Sequence, residues 1–153
     1  MLPGSRNILL GLVAGLLSTP ISLVLAYIIG IVITAVKTRE IMVTILVAFS
    51  FLPLMLIFVL LVPTVVIGLL QGLVLGLGAN LSRNQLLATG VISGTILGEV
   101  VLTLILPFIV APQLNDFTSL VRSPVASAIY GLLVGAISAV IFRRLTRDAR
   151  LID

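Results

Sequence analysis

The chain has 153 residues, of which 60% are hydrophobic and 9% are charged, and its net charge is +4. Soluble domains carry about 25% charged residues, so this composition excludes an ordinary water-exposed domain. The absence of cysteine and histidine excludes disulfides, thiolate metal sites and histidine ligands for a metal or haem. The basic residues fall between apolar runs and in the C-terminal tail rather than on one extended face, so we expect no nucleic-acid partner.

Apolar runs of about 20 residues recur along the chain and match the length needed to cross a ~30 Å hydrocarbon core. Backbone groups in lipid must be hydrogen bonded internally, so these runs should be helices. We therefore predict an all-α, polytopic transmembrane helical bundle, a single integral membrane domain (residues 1–153) in contact with lipid. The predicted spans are residues 8–36, 41–62, 64–79, 86–110 and 124–142, followed by a basic tail at residues 143–153.

The first predicted span begins close to the N-terminus and contains Pro20. Its apolar run continues to about residue 36, without a small-residue cleavage site where a signal peptide would need one. We therefore expect a retained helix. Proline removes a backbone hydrogen bond inside a helix, so a kink is predicted at Pro20.

The second and third predicted spans come from one apolar block, residues 41–79, which Pro53 and Pro63 interrupt. As a single helix this block would be ~58 Å long, too long for one crossing. We predict a tight turn at Pro63. Because the span at residues 64–79 is short, four spans plus a re-entrant segment is the alternative.

The last two predicted spans flank a linker at residues 111–123, whose apolar residues recur at helical spacing and predict a segment lying along the membrane surface. Five spans with the N-terminus outside would leave seven basic residues inside and two outside, whereas four spans would leave six and three. The positive-inside rule therefore favours five spans. Both arrangements predict a cytoplasmic C-terminal tail, in a bacterial plasma membrane or another energy-transducing internal membrane.

Small residues recur every fourth position in four of the predicted spans. This spacing puts them on one face of a helix and allows two backbones to approach closely. Packing within one bundle and assembly with other subunits, or with further copies of the chain, both remain open. Residues 11–15, 68–72 and 131–135 look alike, a similarity that we attribute to chance, since leucine and glycine are so common here. The residues concerned are Gly11 and Gly15; Gly68, Gly72 and Gly76; Gly90, Gly94 and Gly98; and Ser127, Gly131, Gly135 and Ala139.

Glu99 is the only formally charged residue between positions 86 and 110. A charged side chain in the middle of a membrane helix costs ~2.5–3.5 kcal/mol on insertion scales, so a partner is expected. Thr95, Glu99 and Thr103 are spaced four apart, next to a glycine face, and we expect them to point into the protein. Gln71 should lie at the depth of Thr95 and bond to it, with Glu99 beside that contact.

Three interpretations of Glu99 remain open: a protonated hydrogen-bond donor between helices, a contact to a basic residue of another subunit, and a proton or cation site. The sequence offers no nucleophile with a base, no carboxylate pair and no metal cluster, so we expect no enzyme. Any cofactor is unknown, although lipid contacts are expected. We predict a non-catalytic subunit of a larger membrane protein assembly; the alternative is a small homo-oligomeric transporter or channel. No known family is recognised.

Overall fold

The computed structural model describes residues 3–38, 52–105 and 124–150, and within these ranges the chain forms helices without any strand. The predicted all-helical class is therefore confirmed. The third helix continues directly into a π-helical segment, in which the backbone is wound more widely than in an α-helix. The helices are α1 (Pro3–Thr38), α2 (Leu52–Leu77), α3 (Arg83–Glu99) with its π-helical segment (Val100–Ile105), and α4 (Pro124–Arg150).

Among the described residues, three helical stretches are long and apolar enough to cross a membrane, with mean hydropathies of 2.3, 1.7 and 2.2. They are Gly4–Ile33 in α1, Arg83–Leu104 in α3 with its π-helical segment, and Pro124–Ala149 in α4. Helix α2 contributes a shorter apolar stretch, Val62–Leu77. The structure is compatible with a helical membrane protein, but the five predicted spans are not confirmed.

The turn predicted at Pro63 is wrong, because α2 runs through this buried proline without a break. A proline inside a helix loses one backbone hydrogen bond, but a turn at this buried position would leave more backbone groups unpaired, so the helix is retained. Helix α1 likewise continues through Pro20. Residues 39–51, which include part of the predicted second span, and the predicted surface linker at residues 111–123 lie outside the described residues.

Neighbouring helices run in opposite directions. Gly11 meets Gly72 while Gly15 meets Gly68, so α1 and α2 are antiparallel. The turn between α2 and α3 is closed by a hydrogen bond from the Leu81 amide to the Gly78 carbonyl, 3.0 Å long. Near this turn, Gly76 packs against the first part of α1. The last part of α4 lines a pocket together with the turn. The start of α1 and the end of α4 therefore lie at the same end of the bundle.

Glycines form two close seams, one between α1 and α2 (the first seam) and one between α3 and α4 (the second seam). A Cβ added at Gly90 would lie 2.7 Å from the Gly135 carbonyl oxygen, and one at Gly98 would lie 2.7 Å from the Gly131 Cα. Real Cβ atoms essentially never come closer than 3.0 Å, so a larger residue at these positions would force the two backbones to shift. The backbones are thus in direct contact, as in close-packed membrane helix pairs.

The two seams share one register. Gly11 and Gly15 of α1 occupy the places that Gly131 and Gly135 have in α4. In the same way, the three glycines of α2 match those of α3: Gly68 with Gly90, Gly72 with Gly94, and Gly76 with Gly98. Helix α1 therefore corresponds to α4 and α2 to α3, an order that a tandem repeat would not give.

Candidate polar site on the flank of α3

Glu99 is the last α-helical residue before the backbone changes to the π-helical form at Val100. Its side chain is partly exposed, as are those of Thr95 and Thr103. The protein therefore covers all three side chains only in part, whereas we expected them to point into it. The glycines at every fourth position turn α3 towards α4, and one further residue rotates the chain by about 100°, which takes Glu99 off that contact. Ile96 and Val100, on either side of this position, are 57% and 41% exposed.

The carboxylate of Glu99 accepts a hydrogen bond from the hydroxyl of Thr103, with 3.3 Å between Oγ1 and Oε2. Thr95 takes no part in this contact, because its hydroxyl donates to the Val91 carbonyl of its own helix at 2.9 Å. Thr103 is the only hydrogen-bond partner of Glu99 in the described part of the chain. One long hydrogen bond leaves most of the acceptor capacity of a carboxylate unused.

Gln71 is fully buried and does not bond to Thr95 as predicted. Its amide nitrogen donates to the Gly90 carbonyl at 3.0 Å, and its amide oxygen accepts from the Ser93 hydroxyl at 2.9 Å. The Ser93 hydroxyl is shared with the Thr89 carbonyl, 2.6 Å away. Gln71 therefore links α2 to α3 and joins the two halves of the bundle.

Ser93 is a partner that the sequence reasoning missed, although a signal for it exists. Gln71 stands immediately before the central glycine of its triplet, Gly72, and Ser93 stands immediately before Gly94. The shared register thus gives these two polar residues matching places on α2 and α3. That correspondence becomes visible only once the two glycine triplets are aligned.

Buried hydroxyls accompany both seams. Ser18 donates to the Gly15 carbonyl at 2.7 Å, and Ser138, its counterpart in α4, donates to the Gly135 carbonyl at 3.1 Å. Thr19 reaches across the first seam towards the Thr64 carbonyl, at 3.5 Å. Hydroxyls that are satisfied within their own helix can be buried at little cost. These residues therefore belong to the packing of the seams.

The shared register shows which residues of α2 correspond to Thr95 and Glu99 of α3. On α2 the positions that match Thr95 and Glu99 are Leu73 and Leu77, which are 42% and 68% exposed. An exposed leucine is thus compatible with the same seam geometry. Packing against the glycine face does not require a carboxylate at position 99, so the reason for Glu99 must lie outside that packing.

No match is found when the chain is compared with models of known protein families, with curated proteins and with solved structures. Within residues 3–38, 52–105 and 124–150, no three acidic side chains are grouped so that they could hold a metal ion. Glu99 and Thr103 lie together on the partly exposed flank of α3 and its π-helical segment.

Proposed function

We propose that this protein is a non-catalytic integral membrane subunit of a larger membrane assembly, and that Glu99 is its contact to a neighbouring chain. The observation that supports this most directly is the position of Glu99. It is partly exposed among outward-facing apolar side chains, and Thr103 is its only hydrogen-bond partner in the described ranges. A carboxyl group in such a place is costly unless a further partner covers it.

The glycine faces do not add support for an assembly. Each one is already covered by another helix of the same chain, as Gly15 is by Gly68 and Gly94 is by Gly131. They therefore offer no free docking surface. The partner contact that we propose is limited to the flank of α3, where Ile92, Ile96 and Glu99 follow one another at helical spacing.

Membrane orientation is part of the proposal. The start of α1, the turn before α3 and the end of α4 share one end of the bundle, and Arg6, Arg83 and the arginines of α4 are found at that end. The positive-inside rule makes this end cytoplasmic. Both Arg6 and the C-terminal tail are then cytoplasmic, in a bacterial plasma membrane or a related energy-transducing membrane.

Site-specific photo-crosslinking tests the proposed contact. A photoreactive residue at Ile96, which is 57% exposed one turn before Glu99, should form a discrete crosslink to another polypeptide. The same residue at Leu17, 50% exposed on α1, is the matched control and should give lipid adducts only. Glu99→Leu should remove the crosslink at Ile96. Equal crosslinking at both positions, or a crosslink that survives Glu99→Leu, would reject the proposed contact.

A proton or cation site at Glu99 in a homo-oligomeric transporter is the second candidate. Its specific support is the change to π-helical winding directly after Glu99, since single π-helical turns are frequent at functional sites. The hydroxyl of Thr103 beside the carboxylate would supply a third oxygen. Liposomes holding the pure protein should then show a flux that Glu99→Gln abolishes. The control is Thr95→Ala, because the Thr95 hydroxyl bonds only within its own helix.

A further inference from the structure

A pocket of about 370 Å³ opens at the end of the bundle where the turn at residues 78–82 meets the end of α4. Its size falls within the range of small-molecule sites, ~300–1,000 Å³. Three of its eight lining side chains are arginines, and the turn, α3 and α4 each contribute to the wall. The lining residues are Ala79, Leu81, Arg83, Leu86, Phe142, Arg143, Thr146 and Arg147.

The floor and the rim of this pocket differ in chemistry. Phe142 and Leu86 are 1% and 6% exposed and form an apolar base. Arg83, Arg143 and Arg147 are exposed side chains around it. Within the described ranges no carboxylate forms an ion pair with any of these three arginines. Their positive charge is therefore available to a ligand.

Guanidinium groups match the geometry of phosphate oxygens and can bind them through two parallel hydrogen bonds. The pocket lies at the end of helices α3 and α4, both of which contain a stretch long enough to cross a membrane. In the proposed orientation, on which this inference rests, that end is at the level of the cytoplasmic lipid headgroups. Basic pockets between membrane helices on the cytoplasmic side are known binding places for anionic lipid headgroups. We propose that this pocket binds the phosphodiester headgroup of an anionic phospholipid, with the glycerol carbons above Phe142.

Arg144 provides a matched control for this proposal. It is exposed and carries the same charge on the same helix as Arg143 and Arg147, but it does not line the pocket. If the basic tail only set the orientation in the membrane, replacing any of the three arginines would have the same effect on lipid binding. If the pocket binds a headgroup, replacing Arg143 or Arg147 should weaken lipid binding, whereas replacing Arg144 should not.

Native mass spectrometry of the delipidated full chain in detergent, titrated with phosphatidylglycerol, tests the site without the surface potential of a bilayer. Arg143→Gln and Arg147→Gln should each weaken lipid binding about tenfold, the effect of losing a charge-assisted hydrogen bond, while Arg144→Gln changes it less than twofold. Phosphatidylcholine should bind at least about tenfold more weakly.

Two results would overturn the assignment. If Arg144→Gln weakened lipid binding as much as the other two substitutions, the loss would be explained by net charge alone. Displacement of phosphatidylglycerol by inorganic phosphate at matched concentration would show that the pocket recognises a free anion instead of a lipid. Because the substituted arginines are exposed, the melting temperature of each variant in detergent should stay at the wild-type value, which separates lost binding from lost folding.

Discussion

The two helix pairs use the same glycine register but differ on their outward sides. In the first pair Leu73 and Leu77 of α2 face outwards, whereas in the second pair Thr95 and Glu99 occupy the matching places on α3. The seam geometry is common to both pairs, so it explains the glycines and leaves the polar residues unexplained. Residues that depart from a shared framework are the ones for which a functional reason should be sought.

The corresponding helices of the two pairs also run in opposite directions. Helix α1 corresponds to α4 and the two run oppositely, so the start of α1 and the end of α4 lie at the same end of the bundle.

The largest effect is expected in the side of the membrane from which introduced cysteines can be labelled. The chain has no cysteine, so single cysteines can be introduced at the exposed positions Gly4, Asn80, Asp148 and Val36. A membrane-impermeant maleimide should label the first three from one side only, and Val36→Cys, near the far end of α1, from the other side only. Labelling of Gly4→Cys and Asp148→Cys from opposite sides would support the five-span arrangement and break the comparison.

Methyl groups added to the two seams should destabilise the protein by similar amounts. In Gly15→Ala and in Gly135→Ala the new Cβ would overlap a backbone carbonyl of the partner helix, at Gly68 and Gly90 respectively. We expect each to lower the free energy of unfolding by ~1–3 kcal/mol, as overpacked cores do. Chemical or thermal unfolding in one detergent would measure the loss.

The control for the seam variants is Gly4→Ala, since nothing lies within 4 Å of a Cβ at that position. Alanine there should change the free energy of unfolding by less than ~0.5 kcal/mol, because Gly4 is exposed in the first turn of α1. If the substitution in one seam lowered the free energy of unfolding strongly and the one in the other seam did not, the two helix pairs would not be equivalent.

The hydrogen bond between Gln71 and Ser93, which joins the two helix pairs, should have a measurable coupling energy. A double-mutant cycle of Gln71→Leu and Ser93→Ala should give a coupling of ~0.6–1.7 kcal/mol, typical of hydrogen bonds between membrane helices. Ser138 bonds only within its own helix, so the cycle of Gln71→Leu with Ser138→Ala should be additive to within ~0.5 kcal/mol. Coupling of the same size in both cycles would contradict the direct bond between Gln71 and Ser93.

Glu99→Leu should have the smallest effect on the isolated chain. The variant reproduces what α2 has at Leu77, so its unfolding free energy in detergent should stay within ~0.5 kcal/mol of the wild-type value or rise. Thr103 loses only one long hydrogen bond, 3.3 Å, and its hydroxyl can turn to a carbonyl of its own helix. A clear loss of stability would indicate a structural role for Glu99 and remove the contrast between the pairs.

The helical class followed from composition and run length alone, because few charged residues and repeated apolar runs leave no other fold that satisfies the backbone in lipid. The turn at Pro63 could not be predicted correctly, since proline disfavours a helix locally and only the surrounding bundle makes the unbroken helix the better choice. Residue spacing showed that Gly90, Gly94 and Gly98 share a face. It did not show that this face meets Gly131 and Gly135.

At the candidate site, sequence identified Glu99 and Gln71, but it gave Gln71 the wrong partner and did not predict that Glu99 is partly exposed. Comparing depths along α2 and α3 gave Thr95 as the partner of Gln71, whereas the rotation of α3 presents Ser93 instead. That rotation is fixed by the second seam. It depends on a contact about 40 residues away in the chain, which local spacing does not contain. The same rotation turns Glu99 outwards.

Native mass spectrometry after mild extraction from the source membrane, with wild type and Glu99→Leu side by side, tests the central claim most directly. We expect the wild-type chain to appear with other polypeptides at a fixed stoichiometry and the Glu99→Leu chain to appear alone with unchanged thermal stability. A wild-type chain that is released alone, or a Glu99→Leu chain that keeps its partners, would contradict the account.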